Sequence, residues 1–514
     1  MPRITLVATV LAAVVAHGAH AAPPNVTYVV TRTDDPVPDG CRPTDCSLRE
    51  AVTESGRYPT HDIVQLGTGT YILKSTLSVR NSMTITGVGA GSTRITTTAA
   101  LYPALQIDEA TPMWFGLRDL SLNASGGYEL RGLANSCITL DGVDLPNAAA
   151  KVWIEDAYGC GTTIRATHVA GSVVVDGAID VIVEDSTFGK LSIVQDHAGN
   201  PTPYTTSLER VTVDGATYAS SSLRIDSLGD VELADVTVRD TRYGFVVAGD
   251  SPGVVVDRLT YTGNSEPVEI SGDAAVLLRD STFARNVALV GAAQPGALWV
   301  HGADAIVGVD RSTFERNSGT ADAGGAALVE NGAALVITQS TFSGNTFSTA
   351  IAASGPRGGA VGYRGSPAQT ILRLIGTTVV APEVFATGIN GSAIGGYGSA
   401  AQAQLRIYNS IVQGSCASGL VLDHAEGNVG TGDDRCHFDA AMNIVHATKA
   451  ALALGTLGDH GGPTFTHLPA AGSIAIDAGT DYGCLSMPVD QRGYARRSGS
   501  ACDAGAVEAG SVAP

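Results

Sequence analysis

The sequence predicts an all-β solenoid, and three observations carry that prediction. A six-residue phrase returns twelve times, most clearly as Leu278-Arg-Asp-Ser-Thr-Phe283, Val309-Asp-Arg-Ser-Thr-Phe314 and Ile337-Thr-Gln-Ser-Thr-Phe342. Further copies end at Leu122, Leu145, Val169, Phe188, Val213, Val238, Tyr261, Val379 and Val412, so the ends fall 19 to 37 residues apart. A period in that range marks a stack of similar units with loops of variable length. The phrase is rich in Val, Ile, Leu, Thr and Phe and lacks a helix-length 3.6-residue pattern, so each unit is built of strands. Composition agrees: 44% apolar, only 16% charged, with 62 glycines, as suits a turn-rich β body with a large core.

The phrase also fixes the shape of one coil. Its first and last residues are apolar in all twelve copies, yet five places is an odd separation, so both cannot face inward on one straight strand. The chain must bend between them. The third residue from the phrase's end is the candidate hinge, because seven of twelve copies carry Asp, Asn or Gly there, residues that tolerate a left-handed backbone. Three places after Tyr261, Phe283, Phe314 and Phe342 stand Asn264, Asn286, Asn317 and Asn345. Such asparagines can hydrogen-bond up the stack at a second bend. A third strand follows, opening with Gly324-Gly-Ala326, Gly358-Gly-Ala360 or Gly391-Ser-Ala393. Three strands per turn make a parallel β-helix, right-handed by the preference of parallel crossovers.

Taken from the start, residues 1–21 read as a signal peptide: Arg3, an apolar run from Leu6 to Val15, then Ala19-His20-Ala21 as a small-x-small cleavage site. The run is too short for a membrane span of about 20 residues, and no other stretch is long and apolar enough to be a transmembrane segment. The expected location is therefore secreted or at the cell surface. Residues 22–100 form an amino-terminal cap and first coils, 101–415 the β-helix and 416–514 a carboxyl-terminal segment. The net charge of −19, from 31 basic and 50 acidic side chains, repels polyanions, so nucleic acid is excluded as the expected partner.

Eight cysteines fall as neighbours along the chain: Cys41 and Cys46, Cys137 and Cys160, Cys416 and Cys436, Cys484 and Cys502. An even count in an exported chain predicts disulfides. Eight cysteines allow about 105 connectivities; pairing of neighbours is expected, because each pair lies within one or two coils. In Cys46-Ser-Leu-Arg-Glu-Ala-Val52, Ser47 and Glu50 form a capping box, and Leu48, Ala51 and Val52 make a short apolar face. A small helix there would cover the open end of the first coil, which otherwise exposes its core and strand edges. This stretch resembles the CSLREA segment of exported bacterial β-helix proteins. Arg49 and Glu50 as a catalytic pair is the weaker reading, since adjacent helical side chains diverge.

The later coils are longer, and most of the added length precedes the third strand. The body resembles the pectate-lyase-like β-helices, in which loops beside that strand build the substrate groove, which implies a cleft along residues 290–400. Aligning Ala297, Ala326, Ala360 and Ala393 brings His301, Glu330, Arg364 and Tyr397 to one place, four residues on and outward-facing. Adjacent coils are about 4.8 Å apart. A base, a carboxylate, a guanidinium and a phenol in such a row could bind a sugar acid and remove a proton beside its carboxylate, with Trp299 stacking on a sugar ring. The simpler expectation is a solvated outward face.

Other signatures are sparse. Clustered aspartates followed by Gly-His-Gly are absent. Asp433 and Asp434, near Gly427, Asn428, Gly430 and Gly432, could bind Ca²⁺ but lack EF-hand or nonapeptide spacing, so a polar turn is expected, and no cofactor besides a possible Ca²⁺ is implied. Four ordered stretches, Leu457 to His467, Gly472 to Gly479, Asp490 to Gly493 and Cys502 to Glu508, resemble the choice-of-anchor Q domain, whose members carry a surface-attachment signal after it. His460, His467, Asp477 and Asp490 within them are expected to serve turns and side-chain-to-backbone bonds. The function expected is a non-catalytic exported protein that binds a polysaccharide or cell-surface component; the alternative is a polysaccharide lyase or glycoside hydrolase using the cleft.

Overall fold

The computed structural model describes residues 25–513 except 58–59, 99–102, 108–112, 125, 127–128, 133–135, 156–159, 196–203, 217, 250, 290–292, 321–323, 348–357, 366–368, 383–392, 398, 400–401, 418–419 and 433–435. The chain is a right-handed parallel β-helix. One coil runs through strands Ala275–Arg279, Thr282–Ala284 and Leu298–His301; the next runs through Ile306–Asp310, Thr313–Glu315 and Ala327–Glu330. Each strand pairs in parallel with its counterpart one coil on: Leu278 with Val309, Phe283 with Phe314, Val300 with Val329. Three such ladders make the first, second and third sheets.

The bend stands where the phrase places it. All twelve hinge residues have positive φ, from 45° at Ala166 to 64° at Gly142. Five of them, Ala166, Arg210, Arg258, Arg311 and Gln339, are not residues that favour this conformation. For an L-residue it costs roughly 1–2 kcal/mol, so coil stacking overrides local preference there. Three of the five gain a partner in return. In six consecutive coils the hinge alternates acid and base, and Arg210 pairs with Asp185, Arg258 with Asp235 and Arg311 with Asp280, at 2.9, 2.7 and 2.8 Å. The Arg258 guanidinium holds the Asp235 carboxyl below its ordinary range.

Inside, the last residues of the phrase form a column. Phe283, Phe314 and Phe342 stack with centroids 4.4 Å apart at each step. The asparagines form the expected ladder. Asn317 Oδ1 accepts from the backbone N–H of Asn286 at 3.1 Å and its Nδ2 at 2.8 Å, while Asn317 Nδ2 donates to Phe283 O at 2.9 Å and Asn345 Oδ1 at 3.0 Å. A second column, Ser281, Ser312 and Ser340, accepts main-chain N–H bonds from the preceding coil. One buried carboxylate has no such arrangement: burial pushes Glu129 up to about 7, and its one hydrogen bond among the described residues is from the N–H of Ala124 at 2.7 Å.

The coils extend beyond the twelve copies in both directions. Strands Asp62–Gln65 and Gly69–Leu73, then Met83–Thr86 and Thr93–Thr97, make earlier coils whose bends are longer than one residue. After Val412, strands Leu422–Glu426 and Val429–Thr431 add another, in which Gly430 replaces the apolar residue and the Phe438 ring lies against it. The helix Leu48–Ser55 lies at the amino-terminal end with the Ser47–Glu50 capping box formed and Leu48, Ala51 and Val52 buried. Arg49 pairs with Asp35 at 2.8 Å and donates to Ser75 and Thr76 carbonyls, a clasp between cap and coil. The four disulfides join Cys41–Cys46, Cys137–Cys160, Cys416–Cys436 and Cys484–Cys502.

The irregular carboxyl-terminal segment does more than close the end. It runs back along the outer face of the second sheet, where Gln491 bonds Thr313 and Thr341, His467 Nε2 meets Ser343 Oγ at 3.0 Å, and Ala506 N–H donates to Thr378. The outward threonines Thr313, Thr341 and Thr378 are buried for this reason. Asp490 is fully buried, paired with Arg492 at 2.7 Å and accepting the N–H groups of Arg492, Tyr494 and Glu508. Asp477 accepts from Ala501 N–H, and His460 meets Thr466 Oγ1 at 3.1 Å. Among the described residues no helix is long and apolar enough to cross a membrane. Residues 1–21, read as an export signal, lie outside the described residues.

Candidate functional site

The third sheet brings the predicted row together in register. His301 pairs with Glu330, Glu330 with Arg364 and Arg364 with Tyr397. The strands carry Val300, Val329 and Tyr363 inward, so alternation turns the row outward. Two residues earlier on the same face stand Glu269, Trp299, Leu328, Gly362 and Gly395, each opposite the next.

The row is covered rather than solvated. Glu330 is 5% exposed, and the Arg364 side chain 16%. Glu330 is the centre: Oε1 accepts Trp299 Nε1–H at 2.8 Å and Oε2 accepts Arg364 Nη1 at 2.7 Å. The indole packs on Leu328, which is fully buried although it faces outward. Arg364 also approaches the Ala293 carbonyl at 3.5 Å. An outward parity therefore does not mean exposure here; Trp299 packs on Leu328 and bonds Glu330, and Arg364 pairs with Glu330 from the next strand. The expectation of a solvated outward face is corrected accordingly: a nearly buried carboxylate depends on Arg364.

His301 stands at the edge of this cluster. Its Nε2 lies 2.9 Å from Glu269 Oε1, and its ring lies 4.3 Å from the Trp299 ring, tilted by 36°. Glu269 was not singled out in the sequence, although a residue two places before His301's position and one coil earlier was in reach of its side chain. Tyr363 points inward, opposite Gly396, whose missing side chain makes room for its ring, and its hydroxyl bonds the backbone of Val421. The backbone of Tyr397 completes the row; its side chain lies outside the described residues, as do Asp433 and Asp434. Among the described residues, no group of three or more His, Cys, Asp or Glu side chains is placed to hold a metal ion.

Chemically, the cluster offers a partly exposed indole backed by a fixed carboxylate, with an imidazole and a second carboxylate beside it. Both oxygens of Glu330 are engaged, which suits it to positioning the indole and leaves it poorly placed to take a proton.

No family model and no curated protein sequence matches the chain. The CSLREA and choice-of-anchor Q resemblances thus stand on the quoted residues alone. Among solved structures, the catalytic unit of a GH87 α-1,3-glucanase from Streptomyces thermodiastaticus strain HF3-3 is 14% identical, with 84% of this chain and 72% of that chain covered and a TM-score of 0.38. Pectate lyase Pel9A is 13% identical, with 95% and 97% covered and a TM-score of 0.22. The ORF18 protein of Geobacillus virus E2 is 9% identical, with 76% and 63% covered and a TM-score of 0.21.

Proposed function

We propose that this chain is an exported, non-catalytic β-helix protein that binds saccharide through the Trp299 face of its third sheet. The observation that carries the reading is the indole of Trp299: half-buried on an outward face, with its N–H fixed to Glu330 and a second ring, His301, beside it. An aromatic surface held at its polar end is suited to stacking on the apolar face of a sugar. The chain's four disulfides agree with folding in an oxidising compartment.

The test is titration of the full chain with a panel of uronic-acid and neutral polysaccharides, read together with ultraviolet absorbance and release of reducing ends. Binding without product, weakened about tenfold or more in Trp299→Ala, is the expected result. Affinity indifferent to Trp299→Ala refutes the assignment of this face. One observation favours a second reading: His301 bonded to Glu269 is a base oriented by a carboxylate, as general base chemistry requires. New ultraviolet absorbance would mark a lyase and new reducing ends a hydrolase, and either product lost in His301→Gln would replace the binding reading.

A further inference from the structure

A different sheet carries a second concave site near the carboxyl-terminal end. On the first sheet, strand Ala403–Tyr408 pairs with Leu422–Glu426, and the register shifts between Leu405 opposite Leu422 and Arg406 opposite His424. The extra residue is Asp423. Such a bulge re-aims side chains locally, and here the Asp423 carboxylate meets Arg406 Nε at 2.5 Å. One step along, His424 Nε2 lies 3.3 Å from Glu426 Oε2, while Glu426 Oε1 accepts from Thr480 Oγ1 at 3.0 Å.

The returning carboxyl-terminal segment supplies the opposite wall. Asn409, the hinge residue of its coil, donates from Nδ2 to the carbonyls of Thr480 and Tyr482 and accepts the N–H of Thr480. The segment is thereby pinned with Tyr482 over Tyr408, ring centroids 4.2 Å apart. Tyr408 is 5% exposed and Tyr482 51%, so one ring is the floor and the other presents an open face. Between them and the two ion pairs lies a hollow of about 340 Å³ lined by Arg406, Tyr408, Asp423, His424, Glu426 and Tyr482. A second hollow of about 480 Å³ adjoins it through Asp423 and His424.

We propose that this pocket is a binding site for a neutral saccharide, with one sugar ring stacked on Tyr482 and its hydroxyls bonded to the Arg406–Asp423 and His424–Glu426 pairs. Hydroxyls on adjacent carbons need donors and acceptors side by side, and a guanidinium beside a carboxylate provides both. Tyrosine rings supply the apolar face that a sugar's C–H groups require. The charges favour a neutral ligand: Arg406 is matched by Asp423, and Glu426 stands beside His424, so no unbalanced positive charge remains to attract a uronate. The Tyr408 hydroxyl, which burial and the neighbouring Tyr482 raise further above its ordinary value, is a protonated donor at neutral pH, as any tyrosine hydroxyl is.

Titration calorimetry of the full chain with cellohexaose, xylohexaose, mannohexaose, maltohexaose and hexagalacturonate tests this. At least one neutral hexasaccharide should bind, with affinity reduced about tenfold or more in Tyr482→Ala and in Asp423→Asn, and retained in Tyr482→Phe. Tyr482 is half-exposed and Asp423→Asn keeps its shape, so circular dichroism should show both variants folded. The titration is repeated in a Trp299→Ala background, where any saccharide binding that persists and is then lost on adding Tyr482→Ala belongs to this pocket, so failure here does not touch the Trp299 reading, nor the reverse. Absence of binding by every neutral hexasaccharide, a preference for hexagalacturonate, or indifference to Tyr482→Ala overturns the proposal.

Discussion

Replacing Asn317 by Ala probes the stack at its most connected point. The side chain makes four hydrogen bonds within three coils, all of them buried. Truncation leaves the main-chain N–H of Asn286 without its acceptor, and an orphaned buried donor costs about 1–3 kcal/mol. The other three bonds each contribute on the order of 1 kcal/mol net, partly recovered because Asn286 Nδ2 still reaches the Tyr261 carbonyl. The expected loss is about 3–5 kcal/mol. Urea denaturation followed by far-ultraviolet circular dichroism measures it, and amide hydrogen exchange localises it to Asn286. A loss below about 1 kcal/mol, with the Asn286 amide still protected, would show that the ladder is an incidental consequence of stacking and not one of its supports.

Two other perturbations test separate parts of the account. At the hinge, Ala166→Gly should stabilise by about 0.5–1 kcal/mol and Gly142→Ala should destabilise by a similar or larger amount, since both positions need positive φ and only one carries Gly; equal signs in thermal denaturation refute the shared-hinge reading. Glu129 has a folded pKa of about 7 against an ordinary 4.5, so the folded state holds its proton more tightly than the unfolded one. Its contribution to stability is full below about pH 4.5 and is lost as pH rises through about 7, a change of about 3 kcal/mol. Glu129→Gln should remove that part of the pH dependence; a stability difference between variant and parent that is flat from pH 4 to 8 sinks the argument.

The fold was legible because its determinant is periodic. An odd five-place separation of inward residues demanded a bend, and Asp119, Gly142, Asp185 and Asn409 indicated where. The hinge at Arg210, Arg258 and Arg311 was not readable from residue preference, because there the conformation is imposed by the coils above and below and offset by an acid one coil earlier. The first coils and the last one escaped the phrase for local reasons: a longer bend between Ile85 and Ile95, and Gly430 in an apolar place filled by Phe438. In the candidate site, register followed directly from counting, so His301, Glu330, Arg364 and Tyr397 could be aligned. Burial could not, since it depends on how the Trp299 and Arg364 side chains close over Glu330. The pocket under Tyr482 was beyond counting altogether, because its walls come from residues about 70 positions apart that only the returning segment brings together.

That returning segment changes how the stack can come apart. A solenoid whose coils touch only their neighbours unravels from a free end, one unit at a time. Here the bonds from Gln491 to Thr313, His467 to Ser343 and Ala506 to Thr378 span several coils, so the last coils are laced to earlier ones and cannot peel singly. The lacing also imposes an order of assembly: Gln491 has nothing to grip until the strands bearing Thr313 and Thr341 are paired. The carboxyl-terminal residues are thus expected to dock late, as a lock on a finished stack, and severing the chain near Leu454 is expected to bring end-fraying to the last coils, read as loss of amide protection in their strands.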